Sequence, residues 1–115
     1  MNPYAIIDKY YPLDNELKHI LVTHSRSVTA KALAMGRKHP ELQLDLQFVE
    51  EAAMLHDIGI FRTDADKIYC FGHYPYICHG YLGADLMREE GFPKHALVCE
   101  HRVRSEERFS RNAET

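Results

Sequence analysis

Apolar positions along this chain recur with the spacing of an α-helix, and nowhere do they alternate convincingly with polar positions as in a half-buried strand. Residues 15–38 form the longest helical stretch, and His24 falls on its apolar stripe. A second stretch covers residues 46–58, with Leu55 and His56 on its apolar face and Glu50 on its polar face. This pattern predicts an all-α fold.

Capping residues and prolines indicate where the first helices begin and end. Pro3 is expected to begin a short helix that continues to about Tyr10, because proline suits the first helical position. Asp14 is the expected N-cap of the longest stretch, and Asp45 is the expected N-cap of the second. We expect Gly59 to end the second stretch as a left-handed C-cap.

Two more helices are predicted further along the chain. Pro75 is expected to open a helix that continues to about Glu90 and ends at Gly91, and Pro93 is expected to open the last helix. Residues 60–75 show neither helical nor strand periodicity and are expected to form a loop. A loop of this length in a small domain is more often functional than idle.

Length and composition predict a single globular domain, because the chain has 115 residues, 45% of them hydrophobic and 27% charged. We expect residues 1–101 to form it, with its motifs within residues 14–101, and the arginine-rich residues 102–115 to be a frayed or disordered tail. No apolar run is long enough for a membrane span, and a net charge of −3 does not favour a nucleic acid duplex. Three cysteines without a CxxC pair, and an N-terminus unlike a signal peptide, favour a cytoplasmic location.

Histidine is unusually frequent, with eight residues spread along the chain. A lone histidine on an apolar helix face, such as His24, is usually a core residue that is hydrogen-bonded to a neighbour. The doublet His56-Asp57 is a stronger signal, because an imidazole and a carboxylate that converge at a helix end suit a transition metal. Three histidines need no role in metal binding: His19, His39 and His95.

Three motifs follow one another along the chain. They are His24 within LVTHSRSV, His56-Asp57 followed by Ile-Gly within EAAMLHDIGIFRT, and His79 within PYICHGYLGADLMREEGF. In this order they resemble the HD-domain superfamily of metal-dependent phosphohydrolases, in particular its small stand-alone HDIG-type members. The resemblance covers residues 14–101. It implies a helical bundle with a metal site in its middle.

The resemblance also implies a set of metal ligands. His24 matches the first histidine ligand, His56 and Asp57 match the doublet, His79 matches the histidine of the HGYLGA segment, and His101 lies near the histidine expected on the next helix. His56 and Asp57 would also be the catalytic pair. One or two divalent ions of Fe, Mn, Ni, Co or Zn would activate water to hydrolyse a nucleotide or another small phosphoester.

The predicted loop supplies the expected substrate contacts. Arg62, Lys67 and His73 are candidates for binding phosphate, although a solvated loop charge is the commoner use of such an arginine or lysine. Aromatic side chains in and near the loop are expected to pack it onto the helices rather than to line a pocket for a base. These are Tyr69, Phe71, Tyr74, Tyr76 and Tyr81.

The chain departs from the superfamily pattern at its C-terminal end. The superfamily closes its metal site with an aspartate on a later helix, and residues 102–115 contain no aspartate. A truncation, a frameshift or a divergent C-terminus would each produce this pattern. Two alternatives to an active phosphohydrolase therefore stay open. One is a metal-binding regulatory module without turnover, and the other is an inactive fragment that forms a homo-oligomer by pairing with a second copy.

Overall fold

The computed structural model describes residues 1–101. The chain divides into two compact units, Met1–Leu55 and His56–Thr115. Helices dominate the described residues, which confirms the predicted fold class, and none of these helices is long and apolar enough to cross a membrane. In chain order the α-helices are α1 (Pro3–Tyr10), α2 (Glu16–Lys38), α3 (Leu46–Leu55), α4 (His79–Glu89) and α5 (residues 93–101).

The first two helices begin at asparagine caps. The side chain of Asn2 accepts a hydrogen bond of 3.0 Å from the backbone N–H of Tyr4, and α1 then begins at proline as predicted. The cap of α2 is Asn15, whose side chain accepts from the backbone N–H of Lys18 at 3.0 Å. The predicted cap, Asp14, is wrong by one residue, because the extended backbone that a cap needs lies at Asn15.

In the first unit, α3 packs against both α1 and α2. Ile7 and Leu21 are almost fully buried, as the apolar pattern predicts. The buried face of α2 also contains polar residues, since the Thr29 hydroxyl donates a hydrogen bond of 2.7 Å to the buried Ser25 carbonyl. His24 is exposed, so its expected place on a buried stripe is wrong.

In the second unit, the segment expected to be a loop forms short regular elements. A three-stranded sheet has β1 (Thr63–Ala65) at its centre, antiparallel to β2 (Cys70–Phe71) and parallel to β3 (Tyr74–Pro75). Strands of two or three residues are too short for alternation to appear in a sequence, which explains why they were not predicted. Short 3-10 helices occupy Ile58–Arg62, Asp66–Ile68 and Tyr76–Cys78.

The boundaries of two helices differ from those predicted. Helix α3 ends at Leu55, before the His-Asp doublet, rather than near residue 58. Helix α4 begins at His79 rather than at Pro75, because Pro75 has an extended backbone and belongs to β3. Its C-terminal end is as predicted, since Gly91 follows it with a left-handed φ of +89°. In the same unit, Arg88 of α4 forms an ion pair with Glu100 of α5.

Gly59 has a different role from the predicted one. It lies in the 3-10 helix after the doublet and does not adopt a positive φ, so it is not a left-handed C-cap. A Cβ atom at this position would lie 2.4 Å from the backbone nitrogen of Gly83 and 2.4 Å from the carbonyl oxygen of His79. Glycine is needed here because the first turn of α4 lies directly against its backbone.

Candidate metal centre

The His56-Asp57 doublet lies in a turn where the α-helix has already ended. Asp57 has φ −107° and ψ 16°, outside the α-helical values, so the two neighbouring side chains are not held on diverging helical directions. Nε2 of His56 lies 3.0 Å from Oδ2 of Asp57. Both side chains are buried, with 4% and 8% of their surface exposed.

His79, the first residue of α4, approaches the same carboxylate from a second direction. Its Nε2 lies 3.3 Å from Oδ1 of Asp57, and its side chain is 3% exposed. The close approach of α4 to Gly59 brings this histidine to the doublet. The carboxylate of Asp57 is therefore flanked by two imidazoles, one at each oxygen.

The other nitrogen of His79 has a defined partner. Nδ1 lies 2.7 Å from the backbone carbonyl oxygen of Tyr76. Because a carbonyl oxygen only accepts, Nδ1 must carry the proton and donate it. Nε2 is therefore the ring nitrogen of His79 that is left to present a lone pair to an ion.

The donor set around the carboxylate of Asp57 fits a divalent metal. Two imidazole nitrogens and one carboxylate, all buried, suit Fe, Mn, Co, Ni or Zn. A ligating histidine commonly donates its second ring N–H to a backbone carbonyl, as His79 does. The second unit thus offers, in these three side chains, the kinds of ligand atom that such an ion takes.

The nearby cysteine offers no nucleophile. Burial, and to a smaller extent the negative charge of Asp57, raise the pKa of the Cys99 thiol to about 12. A thiol with such a pKa stays protonated near neutral pH and is a poor nucleophile.

Two further predicted ligands are histidines of α2 and α5. His24 is on α2 in the first unit, and His101 is on α5 at the last described position, each with an exposed side chain. Their roles as ligands stay predictions. Two histidines that were assigned no metal role have structural contacts, because His39 lies 2.9 Å from Glu41 and the buried His95 packs edge-on against an aromatic ring.

Of the predicted phosphate-binding residues, Arg62 and Lys67 lie on 3-10 helices of the second unit, and His73 lies between β2 and β3. Arg62 is half-buried, with its guanidinium 5.5 Å from the centre of the Phe61 ring, whereas Lys67 and His73 are exposed. The expectation that the aromatic residues pack inward is wrong for four of them. Between 43% and 73% of the surface of each is exposed, because the short strands and 3-10 turns of this segment leave these side chains at the surface: Tyr69, Phe71, Tyr74 and Tyr76.

The sequence gives no sign of the role of Tyr76. This residue contacts His79 twice, through its carbonyl oxygen and through its ring, which stacks on the imidazole at a centroid distance of 4.6 Å. A contact made by a backbone carbonyl cannot be predicted from the residue type. Tyr76 was expected only to help pack the loop onto the helices, together with the other aromatic residues. Its spacing, three residues before a candidate ligand, is the signal that could have identified it.

Comparison with known proteins adds a family to this geometry. The family model described as HD domain matches residues 21–114, most of the chain. An uncharacterized protein from Methanocaldococcus jannaschii is 33% identical over 91 residues, which cover 78% of this chain and 46% of that protein. The chain thus spans less than half the length of this relative. No solved structure matches the chain.

Proposed function

The chain belongs to the HD-domain family, and on this premise we propose that it is a metal-dependent phosphohydrolase that acts on a nucleotide or another small phosphoester. One observation carries the proposal. The buried carboxylate of Asp57 faces the Nε2 atoms of His56 and His79 at 3.0 and 3.3 Å. HD domains are generally metal-dependent hydrolases, and this arrangement offers the ligands that such chemistry uses.

We propose that His56, Asp57 and His79 hold a divalent ion, with His24 and His101 as further ligands of one or two ions on the basis of the family pattern. When bound, the ion supplies a Lewis acid that activates water and balances charge on a phosphoryl group. The carboxylate of Asp57 offsets part of the cationic charge. Burial of the three side chains excludes bulk water and strengthens each electrostatic interaction.

We propose that Arg62, Lys67 and His73 bind the phosphate group of the substrate. A phosphate carries two negative charges near neutral pH, and arginine binds it through two parallel hydrogen bonds. The contact between Arg62 and Phe61 limits the freedom of the guanidinium before substrate arrives. Lys67 and His73 would add positive charge from exposed positions.

Metal content is the first test. The purified chain is stripped with a chelator, reconstituted separately with Fe, Mn, Co, Ni and Zn, and analysed for bound metal. We expect near-stoichiometric metal in the wild type, and loss of most of it in His56→Ala, Asp57→Ala and His79→Ala. His39→Ala and Asp64→Ala are matched controls, because both residues are exposed and the second lies in the same unit as the doublet. A wild type without metal after reconstitution overturns the site.

Turnover is the second test, with p-nitrophenyl phosphate and a panel of nucleotides as substrates. We expect hydrolysis only in the metal-loaded protein, and a fall of at least about a hundredfold in the doublet variants, since they remove ligands of the activating ion. Activity that is unchanged in His56→Ala or Asp57→Ala refutes the mechanism. Stoichiometric metal without hydrolysis of any substrate supports the regulatory module instead.

A further inference from the structure

We propose that Tyr76 is the residue that positions His79, holding its imidazole so that Nε2 lies beside the carboxylate of Asp57. The assignment of His79 as a metal ligand rests on the proposed function. The orientation of its ring does not, because it follows from contacts within the second unit. Tyr76 acts through His79 and is a positioning residue.

The first contact is a hydrogen bond that selects the donor nitrogen. Tyr76 begins a 3-10 turn, Tyr76–Cys78, that leads directly into α4. Its carbonyl oxygen accepts the Nδ1 proton of His79 at 2.7 Å. With Nδ1 used in this way, Nε2 is the nitrogen that remains for Asp57, at 3.3 Å.

The second contact is the stacking of the tyrosine ring on the imidazole. The two ring centroids are 4.6 Å apart and the ring planes are inclined by 29°. Tyr76 is 43% exposed while His79 is 2% exposed, so the tyrosine covers a buried imidazole and has one side at the surface. The ring therefore limits rotation of the imidazole and shields the bond from Nδ1 to the carbonyl from water.

Together the two contacts fix the ring by hydrogen bonding and by packing. The hydrogen bond decides which nitrogen carries the proton, and the stack decides the plane in which the ring lies. A ligand nitrogen held in this way loses less conformational entropy when it binds an ion. Removing such a support commonly lowers metal affinity by about 10- to 100-fold.

The test compares three single variants with the wild type. Tyr76→Leu removes the ring face and keeps an apolar side chain, whereas Tyr76→Phe keeps the ring and removes only the hydroxyl. Tyr74→Leu is the matched control, since it makes the same change at a neighbouring tyrosine that is 52% exposed. Tyr76→Met is a second variant without a ring face, used if Tyr76→Leu does not fold. Circular dichroism checks each fold.

Two measurements are made on each variant. The first is the nitrogen-15 NMR spectrum of the histidine rings in metal-free protein at about pH 8, assigned for His79 by comparison with His79→Gln. It reports whether Nδ1 carries a proton that exchanges slowly with water. The second is the dissociation constant for Zn²⁺, together with the visible spectrum of the Co²⁺-loaded protein, which is sensitive to ligand geometry.

We expect a protected Nδ1 proton in the wild type, Tyr76→Phe and Tyr74→Leu, and rapid exchange in Tyr76→Leu. The Zn²⁺ dissociation constant of Tyr76→Leu should rise about tenfold, with an altered Co²⁺ spectrum. A wild-type Nδ1 without a proton, or a Tyr76→Leu protein that matches Tyr74→Leu in both measurements, overturns the proposal. If the wild type binds no metal, the proposed function fails, while the metal-free spectra still decide whether Tyr76 positions His79.

Discussion

Replacing Gly59 by alanine places one methyl group against the backbone of α4. A Cβ atom there would lie 2.4 Å from both the Gly83 nitrogen and the His79 oxygen, about 1 Å short of van der Waals contact. Both contacted atoms belong to backbone, so no side-chain rotation relieves the clash. Overpacking a core costs about 1–3 kcal/mol, and we expect a value near the upper end because a whole helix must move.

Urea unfolding, followed by circular dichroism, measures this cost. We expect Gly59→Ala to lower the free energy of unfolding by about 3 kcal/mol, and to lower the melting temperature by roughly 10 °C for a domain of this size. The displaced oxygen belongs to His79, whose imidazole faces Asp57. We therefore expect weaker Zn²⁺ binding by the folded fraction as well.

Gly83→Ala is the matched control. Its Cβ atom would meet the Gly59 nitrogen at 3.3 Å, Ile58 Cγ2 at 3.4 Å and Cys99 Sγ at 3.6 Å, so the clash is much milder. Alanine also gains about 1 kcal/mol over glycine inside a helix, which offsets part of the crowding. The reasoning is refuted if Gly59→Ala unfolds at the wild-type urea concentration, or if the control loses as much stability.

Four further outcomes are expected. Gly91→Ala should lower the free energy of unfolding by about 1 kcal/mol in urea titration, because φ is +89° and the added methyl meets nothing within 4 Å; an unchanged midpoint would contradict this. Asp45→Ala should cost about 1 kcal/mol, since the Asp45 carboxylate accepts the Phe48 N–H at 3.2 Å; Asp45→Asn, which keeps the cap, should cost less. Cys78 should react with iodoacetamide before the buried Cys99, as read by mass spectrometry of the native protein; equal rates would show that the thiol is accessible. Zn²⁺ at about 100 times its dissociation constant should add about 3 kcal/mol of stability, and this gain should disappear in His56→Ala.

Local signals accounted for most of the helices. Proline at the start of α1, the aspartate before α3 and the glycine after α4 act within a few residues of sequence, and the structure confirms each of them. The misplaced boundaries have non-local causes. Helix α4 starts later than predicted because Pro75 pairs with Asp64 in the sheet, and a proline that enters a strand cannot be distinguished locally from one that opens a helix.

The types of ligand residue at the candidate site could be predicted from the sequence, but the distances between them could not. The residue types of the doublet and of His79 indicate a metal, whereas the distances that join them depend on how α4 lies against the chain that follows the doublet. Exposure was the least predictable property. The sheet leaves its aromatic side chains at the surface, and no periodic pattern over two or three residues reveals which way they face.

Gly59 and Tyr76 together determine where the imidazole of His79 lies relative to Asp57. A carboxylate can meet an imidazole from another helix only if the backbones approach closely, and Gly59 permits that approach because it carries no Cβ atom. Close approach alone leaves the imidazole free to turn. The hydrogen bond and the ring stacking from Tyr76 restrict this rotation. They therefore help to hold Nε2 of His79 at 3.3 Å from Asp57. Substitution at either position should therefore weaken metal binding by a separate route, with loss of stability in the first case and loss of ring orientation in the second.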